Sequence, residues 1–269
     1  MAAGARPRDM TAASTRKSHE VLHREAKTSD GITIAYSWWR RPARELLILA
    51  PGFWRVRLAR ENLFLANFFV RRGYDVVALD FRGHGDSQGA YTFGTFEAHD
   101  LKAVVDSLVG EGMPYRRFAL LGLSMGGMIS ADALAKWPEL PCRALVMVSS
   151  PADLRSLRPK PWKAGAIRQV RLRHALRMPR VSRRTRIGAT PRGHEAIAQL
   201  NMPKLIVTAE GDWLVDPSHG RLLAKAAAPP VDDVHLDLPG SLHADALVKY
   251  VPLRLLRLLD RWFMRNAPP

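Results

Sequence analysis

The stretch LLGLSMGG, residues 120–127, decides how the rest of the chain is read. Its first residues close the apolar run FALLGL (118–123), and its last residues open a segment of helical pattern that continues to residue 136. Gly122-Leu123-Ser124-Met125-Gly126 therefore falls on a strand-to-helix turn. A serine on such a turn is lifted into a strained backbone conformation, and glycines on either side let neighbouring chain approach where a Cβ would collide. The helix that follows adds amide groups and the positive end of its dipole beside the hydroxyl. A glycine-rich turn with an incidental serine is the plain alternative, so the flanking chain has to decide.

Working outward, the runs ELLILAP (45–51), DVVALDF (75–81), ALVMVSS (144–150) and KLIVTA (204–209) are near-continuous in apolar residues, as strands covered on both faces are. Helical pattern lies over 58–72, 97–109, 125–136, 217–228 and 244–265. This alternation predicts a mostly parallel sheet flanked by helices. Upstream, VLHREAKTSDGITIAYSWW (21–39) reads as two strands joined at Ser29-Asp30-Gly31, a hairpin that gives the sheet an antiparallel edge.

The 269 residues, 47% of them hydrophobic, suffice for one sizeable core and are few for two independent enzyme domains. Cys142 is the only cysteine, which excludes an intramolecular disulfide and a cysteine-based metal cluster and suits a reducing, cytoplasmic setting. Residues 1–18 carry charge and small side chains without the apolar stretch of a secretory signal and read as a disordered tail. No segment reaches the roughly 18 apolar residues of a spanning helix. Contact with a membrane would be peripheral.

A serine nucleophile needs a base, and the base needs a carboxylate to orient it. Asp212, in GDWLVD (211–216), lies just past the 204–209 run, and His243, in SLHADA (241–246), follows the short run VHLDL and precedes the last helical segment. Ser124, Asp212 and His243 all sit beyond the C-terminal ends of predicted strands, where open α/β sheets bind their ligands. Asp216 competes with Asp212, but its place before Pro217 suits a helix N-cap. His219 falls in helical pattern and His235 in strand pattern; His99 and Asp100 read as surface or capping groups at a helix start. His84 could serve as a base or as part of a structural loop. The His, Asp and Glu spacings suggest no metal site, and no cofactor is expected.

SDGITIAY (29–36), APGF (50–53), DFRGHGDSQG (80–89), GLSMGG (122–127) and the pair GDWLVD and SLHADA together resemble the α/β-hydrolase family, in its serine esterase, lipase, thioesterase and serine aminopeptidase-like members. The resemblance spans roughly residues 28–265. It implies an eight-stranded sheet with a short helical lid after the sixth strand, the core being divided into 19–150 and 203–269 by an insertion at 151–202. It also implies that the loop at 80–87 is structural, which favours that role for His84. The backbone N–H groups of Phe53 and Met125 would form the oxyanion hole. Where many relatives have His-Gly, this chain has Pro51-Gly52. The implied activity is cleavage of a carboxylic ester or thioester. Transfer of a carrier-bound acyl chain and a non-catalytic binding role are the alternatives.

The insertion at 151–202 holds thirteen Arg or Lys against Asp153 and Glu195, which concentrates +11 of the chain's formal +16 in one segment. Such a field would steer anionic substrates, or dock the segment on anionic lipid or an acidic carrier protein, unless the charges are simply solvated. Trp162, Ile167, Val170, Leu172, Leu176 and Met178 are interleaved with them. A sequence pI near 10.8 also suits nucleic acid, but no recognised nucleic-acid module accompanies it, and none is expected to bind.

Overall fold

In the computed structural model, residues 20–41, 43–110, 117–163, 179–183, 185, 190–237 and 241–269 are described. The expected N-terminal tail and most of the charged part of the 151–202 insertion, including Ile167, Val170, Leu172, Leu176 and Met178, lie outside them.

Eight strands form one sheet in the order β1-β2-β4-β3-β5-β6-β7-β8. They are β1 (Glu20–Lys27), β2 (Thr33–Arg40), β3 (Leu46–Ala50), β4 (Asp75–Leu79), β5 (Phe118–Leu123), β6 (Cys142–Val148), β7 (Lys204–Ala209) and β8 (Val231–Leu236). The hairpin β1–β2 is antiparallel and joins β4 antiparallel, giving the expected edge. From β4 to β8 every pairing is parallel. The fold is that of the α/β hydrolases.

Alternation along the strands builds two cores. Leu46, Ile48 and Ala50 of β3 face one side with Leu120 of β5 and Ile206 of β7; Leu47 and Leu49 face the other with Leu121 and Val207. Successive side chains in a strand point to opposite faces, so both sides of the sheet demand cover. On the first side α2 (Glu97–Gly110), α3 (Met125–Lys136), α4 (Gly193–Ile197) and α5 (Pro217–Ala226) supply it through residues such as Leu101, Ile129, Ile197 and Leu223. On the other, α1 (Arg60–Arg71), α6 (Asp245–Tyr250) and α7 (Pro252–Asn266) contribute Phe69, Leu247, Leu259 and Phe263. This double cover is why the strands read as unbroken apolar runs.

The single helix predicted over 244–265 is two helices. Val251 sits between them at φ −133° and ψ 45°, and Pro252 starts α7. Proline restricts the residue before it away from helical geometry and has no N–H to bond backward, so the chain breaks there although the apolar periodicity runs on.

Pairing of neighbouring strands gathers their C-terminal loops. Ala50 of β3 is in register with Gly122 of β5, which sets the loop at 51–57 beside the turn at Ser124. The loops after β7 and β8, also neighbours, bring Asp212 and His243 to the same end of the sheet.

Candidate active site

Ser124 adopts φ 54° and ψ −123°, a region that L side chains rarely enter. Strain of this kind costs about 1–3 kcal/mol and persists only where the surroundings over-determine it. Here the Ser124 N–H donates to the Val148 carbonyl of β6 at 2.8 Å and the Ser124 carbonyl accepts from Gly127 N–H at 3.1 Å. The turn is also too tight for any residue but glycine on its flanks: a Cβ on Gly122 would lie 2.3 Å from the Gly127 Cα, and one on Gly126 would lie 2.1 Å from the Ala50 carbonyl oxygen.

The Ser124 hydroxyl is 2.8 Å from Nε2 of His243, whose Nδ1 lies 2.9 and 3.1 Å from the two carboxylate oxygens of Asp212. With its proton on Nδ1, the imidazole donates to Asp212 and presents Nε2 as an acceptor to the hydroxyl. Asp212 is fixed in turn, since its Oδ1 accepts from the N–H groups of Leu214 at 2.8 Å and Val215 at 3.1 Å. All three side chains are buried. Burial pushes the His243 imidazole down, and the charge and hydrogen bond of Asp212 outweigh it, so the net direction is upward from the ordinary histidine value.

The Met125 and Phe53 amides belong to the two segments that meet at Ser124. Met125 N–H opens α3, and the loop carrying Phe53 packs so closely that a Cβ on Gly52 would lie 3.1 Å from the Ser124 Cβ. Among the described residues neither the Phe53 nor the Met125 amide has an intramolecular acceptor. A cavity of about 360 Å³ opens onto Ser124 and His243, walled by apolar side chains that include Phe53, Phe93, Leu154, Leu157, Trp213 and Val215.

The loop 80–87 explains its own sequence. Asp80 is wholly buried, accepts from Arg57 N–H at 2.5 Å and from the Arg57 guanidinium, and accepts from Asp86 N–H at 3.1 Å. Ser87 hydroxyl donates to the Asp80 carbonyl at 2.6 Å and accepts from Ala35 N–H at 2.8 Å, stitching the loop to β2. Arg82 meets Asp100 through Nε at 2.8 Å and Nη2 at 2.7 Å, and Asp30 through Nη1 at 2.8 Å. Asp100 is thus no surface or capping group: it is fully buried in α2 as the partner of Arg82, while His99 beside it is half-buried against Trp137.

His84 is structural rather than a base for Ser124. Its Nδ1 lies 3.2 Å from the Arg82 carbonyl and its Nε2 accepts from Trp54 N–H at 3.3 Å, which fixes a neutral tautomer; burial likewise pushes its pKa down. Asp216 accepts from Ser218 N–H at 3.0 Å as the N-cap of α5 and lies 3.1 Å from the Lys160 ammonium. His219 Nδ1 accepts from Ala152 N–H at 3.2 Å, and His235 bonds Thr208 at 2.8 Å across β7 and β8. Among the described residues no group of three or more His, Cys, Asp or Glu is arranged to hold a metal ion. Also among them, no helix is long and apolar enough to cross a membrane.

Of the thirteen bases in 151–202, seven are described, and several already have partners. Arg155 pairs with Asp153 at 2.8 Å, Arg192 with Glu195, and Lys163 donates to the Gly211 carbonyl at 2.9 Å. The returning segment is anchored to the core, because Arg180 N–H donates to the Gly83 carbonyl at 2.9 Å and Val181 bridges Tyr91.

A family model described as serine aminopeptidase, S33, matches residues 41–188, more than half of the chain. The chain belongs to this family of α/β hydrolases. Over 123 residues the S33 chain is 30% identical to the uncharacterized hydrolase YugF of Bacillus subtilis strain 168, a stretch that covers 46% of this chain and 43% of YugF. The match therefore spans less than half the length of that relative. In three dimensions the S33 chain resembles the esterase Pf2001 of Pyrococcus furiosus, with TM-score 0.73 and 21% identity over 92% of this chain and 93% of that one. It also resembles the esterase RhEst1 of Rhodococcus sp. ECU1013, with TM-score 0.67 and 21% identity over 91% of this chain and 99% of the other. At such identities the likeness establishes the shared fold.

Ser124, His243, Phe53 and Met125 line one cavity, and Asp212 bonds His243. The sequence reading passes over Arg55, Asp245 and the apolar wall at Leu154 and Leu157. Arg55 and Asp245 each stand two residues beyond a candidate site residue, yet nothing in the sequence links positions so far apart.

Proposed function

We propose that this S33 chain is a serine hydrolase that cleaves a carboxylic ester or thioester through an acyl-enzyme. The observation that carries the reading is the line from Ser124 hydroxyl to His243 to Asp212, at 2.8 and 2.9 Å, on a strained turn.

His243 Nε2 takes the Ser124 proton as Oγ attacks the substrate carbonyl, and Asp212 stabilises the imidazolium without itself being protonated. The carbonyl oxygen becomes an oxyanion held by the N–H groups of Phe53 and Met125, donors each worth roughly 2.7–4 kcal/mol where such sites have been dissected. Collapse of the tetrahedral intermediate breaks the ester or thioester bond, and His243 returns the proton to the leaving alcohol or thiol. Water, deprotonated by His243, then attacks the acyl-enzyme, and release of the acid regenerates Ser124. The apolar wall favours a substrate with a substantial apolar group, because burying it there recovers about 25 cal/mol per Å² of apolar surface. In this reading residues 151–202 are the lid insertion, of which Leu154 and Leu157 form part of that wall, and their charge provides a peripheral contact with anionic lipid or an acidic carrier.

Treatment with a fluorophosphonate probe, followed by mapping of the adduct by mass spectrometry, tests the reading. The expected product is a single adduct on Ser124. No labelling under conditions where a control hydrolase reacts would overturn it.

A further inference from the structure

An ion pair joins the loop after β3 to the start of α6, where the loop after β8 ends. Arg55 Nη2 lies 2.5 Å from Asp245 Oδ2, and each side chain is only 15% exposed. Both residues line the cavity that opens onto Ser124. Their positions in the two loops match, because Arg55 stands two residues beyond Phe53 and Asp245 two beyond His243. Between His243 and Asp245 lies Ala244 at φ 39°, a left-handed conformation that alanine does not adopt unaided.

Taking two charges out of water is costly, and a partly buried pair is weak grounds for expecting added stability. Arg55 is not even fully satisfied, since its Nε is buried without an acceptor. A pair retained at that cost, at matching places in the two loops, has a better explanation in the geometry and charge of the site. We propose that the Arg55–Asp245 pair is a positioning bridge for the proposed hydrolytic site, tying the loop that carries the Phe53 amide to the loop that carries His243 and balancing the charge beside the imidazole. The inference rests on the serine hydrolase reading.

Among the described residues, the charged groups that act on His243 include Asp212 at Nδ1, Asp245 and Arg55. Asp212 and Asp245 favour the imidazolium and Arg55 opposes it. Removing one member of the bridge therefore leaves the other uncompensated, and the two single changes push the imidazole in opposite directions. A pair that served only to hold the loops together would slow the site without this opposition.

The test is the pH dependence of Ser124 labelling by a fluorophosphonate in the full-length protein and in Arg55→Gln, Asp245→Asn and the double variant. Labelling requires neutral His243, so its rate falls on the acid side with a midpoint that reports the imidazole. Asp245→Asn is expected to move that midpoint to lower pH and Arg55→Gln to higher pH, with the double variant near the wild type. All three should label more slowly at the plateau, by up to about 10²-fold, the cost of a misplacement near 1 Å. Unmoved midpoints, or midpoints moved the same way, would overturn the bridge. Arg55→Lys, which keeps the charge but not the planar fork, covers the case in which a neutral variant does not fold. It should label slowly with an unmoved midpoint, and a displaced one would count against the proposal. A wild type that never labels at Ser124 overturns the underlying hydrolase reading, whereas a labelled wild type with unresponsive midpoints overturns the bridge alone.

Discussion

The backbone N–H of Trp54 donates to Nε2 of His84 at 3.3 Å, so a histidine in the loop after β4 holds the turn that carries the Phe53 amide. Trp54 needs holding, since its φ of 67° lies in the left-handed region. The ring of Phe53 packs on Tyr91 and Phe93, with centroids 5.1 Å from each, and edge-on to His84 at 5.8 Å. Replacing His84 with Phe keeps the ring and removes the acceptor. The expected outcome is a Ser124 labelling rate lower by up to about 10²-fold, approaching the loss of one oxyanion donor, with unfolding little changed. Parallel labelling kinetics and thermal unfolding check it. A labelling rate equal to the wild type would show that the Phe53 turn holds itself.

A base at His243 sets the sign of the pH response, and the upward direction of its shift sets the side of the ordinary value on which the midpoint falls. The imidazole must be neutral to accept the Ser124 proton, so hydrolysis is lost on acidification, with a midpoint above the ordinary imidazole value of 6.5. Asp212→Asn removes the charge that raises it and, with the amide oxygen held by the Leu214 and Val215 N–H groups, turns an NH2 donor toward Nδ1. The midpoint should then fall, and the rate at neutral pH should drop by about 10⁴-fold, the loss seen when the orienting aspartate of such a triad becomes asparagine. Hydrolysis of an activated ester followed across the acid range measures both. A midpoint unchanged in Asp212→Asn would mean that another group controls the base.

How far these features can be read from sequence depends on whether the cause is local. The buried strands are readable because cover on both faces makes each an apolar run, as in Leu46–Ala50, which is buried throughout. Ser124 is readable because strand, turn and helix are contiguous, and Asp212 because it follows the fully buried β7; His243 follows the half-exposed β8 and is readable only from its place before the last helical segment. The break at Val251 is hidden, since the apolar spacing of α6 continues into α7 and only Pro252 marks the stop. Asp100 misleads because an acid in the first turn of a helix resembles a dipole or capping group, while its actual partner, Arg82, lies 18 residues earlier in the loop after β4. Arg55 and Asp245 lie 190 residues apart, after strands β3 and β8 that β5, β6 and β7 separate, so no local pattern announces their pairing.

The burial of Arg82 against Asp100 has a consequence for stability. Both side chains are at most 4% exposed, and Asp100 oxygens accept from the Arg82 backbone N–H, Nε and Nη2. Breaking a buried pair from one side leaves an uncompensated charge, at a cost of about 3–5 kcal/mol. Arg82→Met should therefore lower stability by that amount. Arg82→Met with Asp100→Leu should recover part of it, because no buried charge is then left alone and only the exposed Asp30 loses its partner. Urea unfolding of the two variants checks the order, and a double variant less stable than the single would contradict it.

Lys204, at the start of β7, is nearly inaccessible, and its ammonium donates to the carbonyls of Leu200 at 2.8 Å and Met202 at 2.6 Å. Burial pushes its pKa down from 10.5 to about 8. Between those two values the unfolded chain holds a proton that the folded chain has released, so stability rises with pH through that window. Below it both states are protonated, and this contribution is flat. Lys204→Met removes the titration. The urea midpoint of the wild type should therefore gain on that of the variant as pH rises from 8 towards 10.5, with other alkaline groups, Cys142 among them, cancelling in the difference. A constant gap between the two proteins across that range would show that Lys204 titrates alike in the folded and unfolded chain, and that its two carbonyl partners compensate fully for its burial.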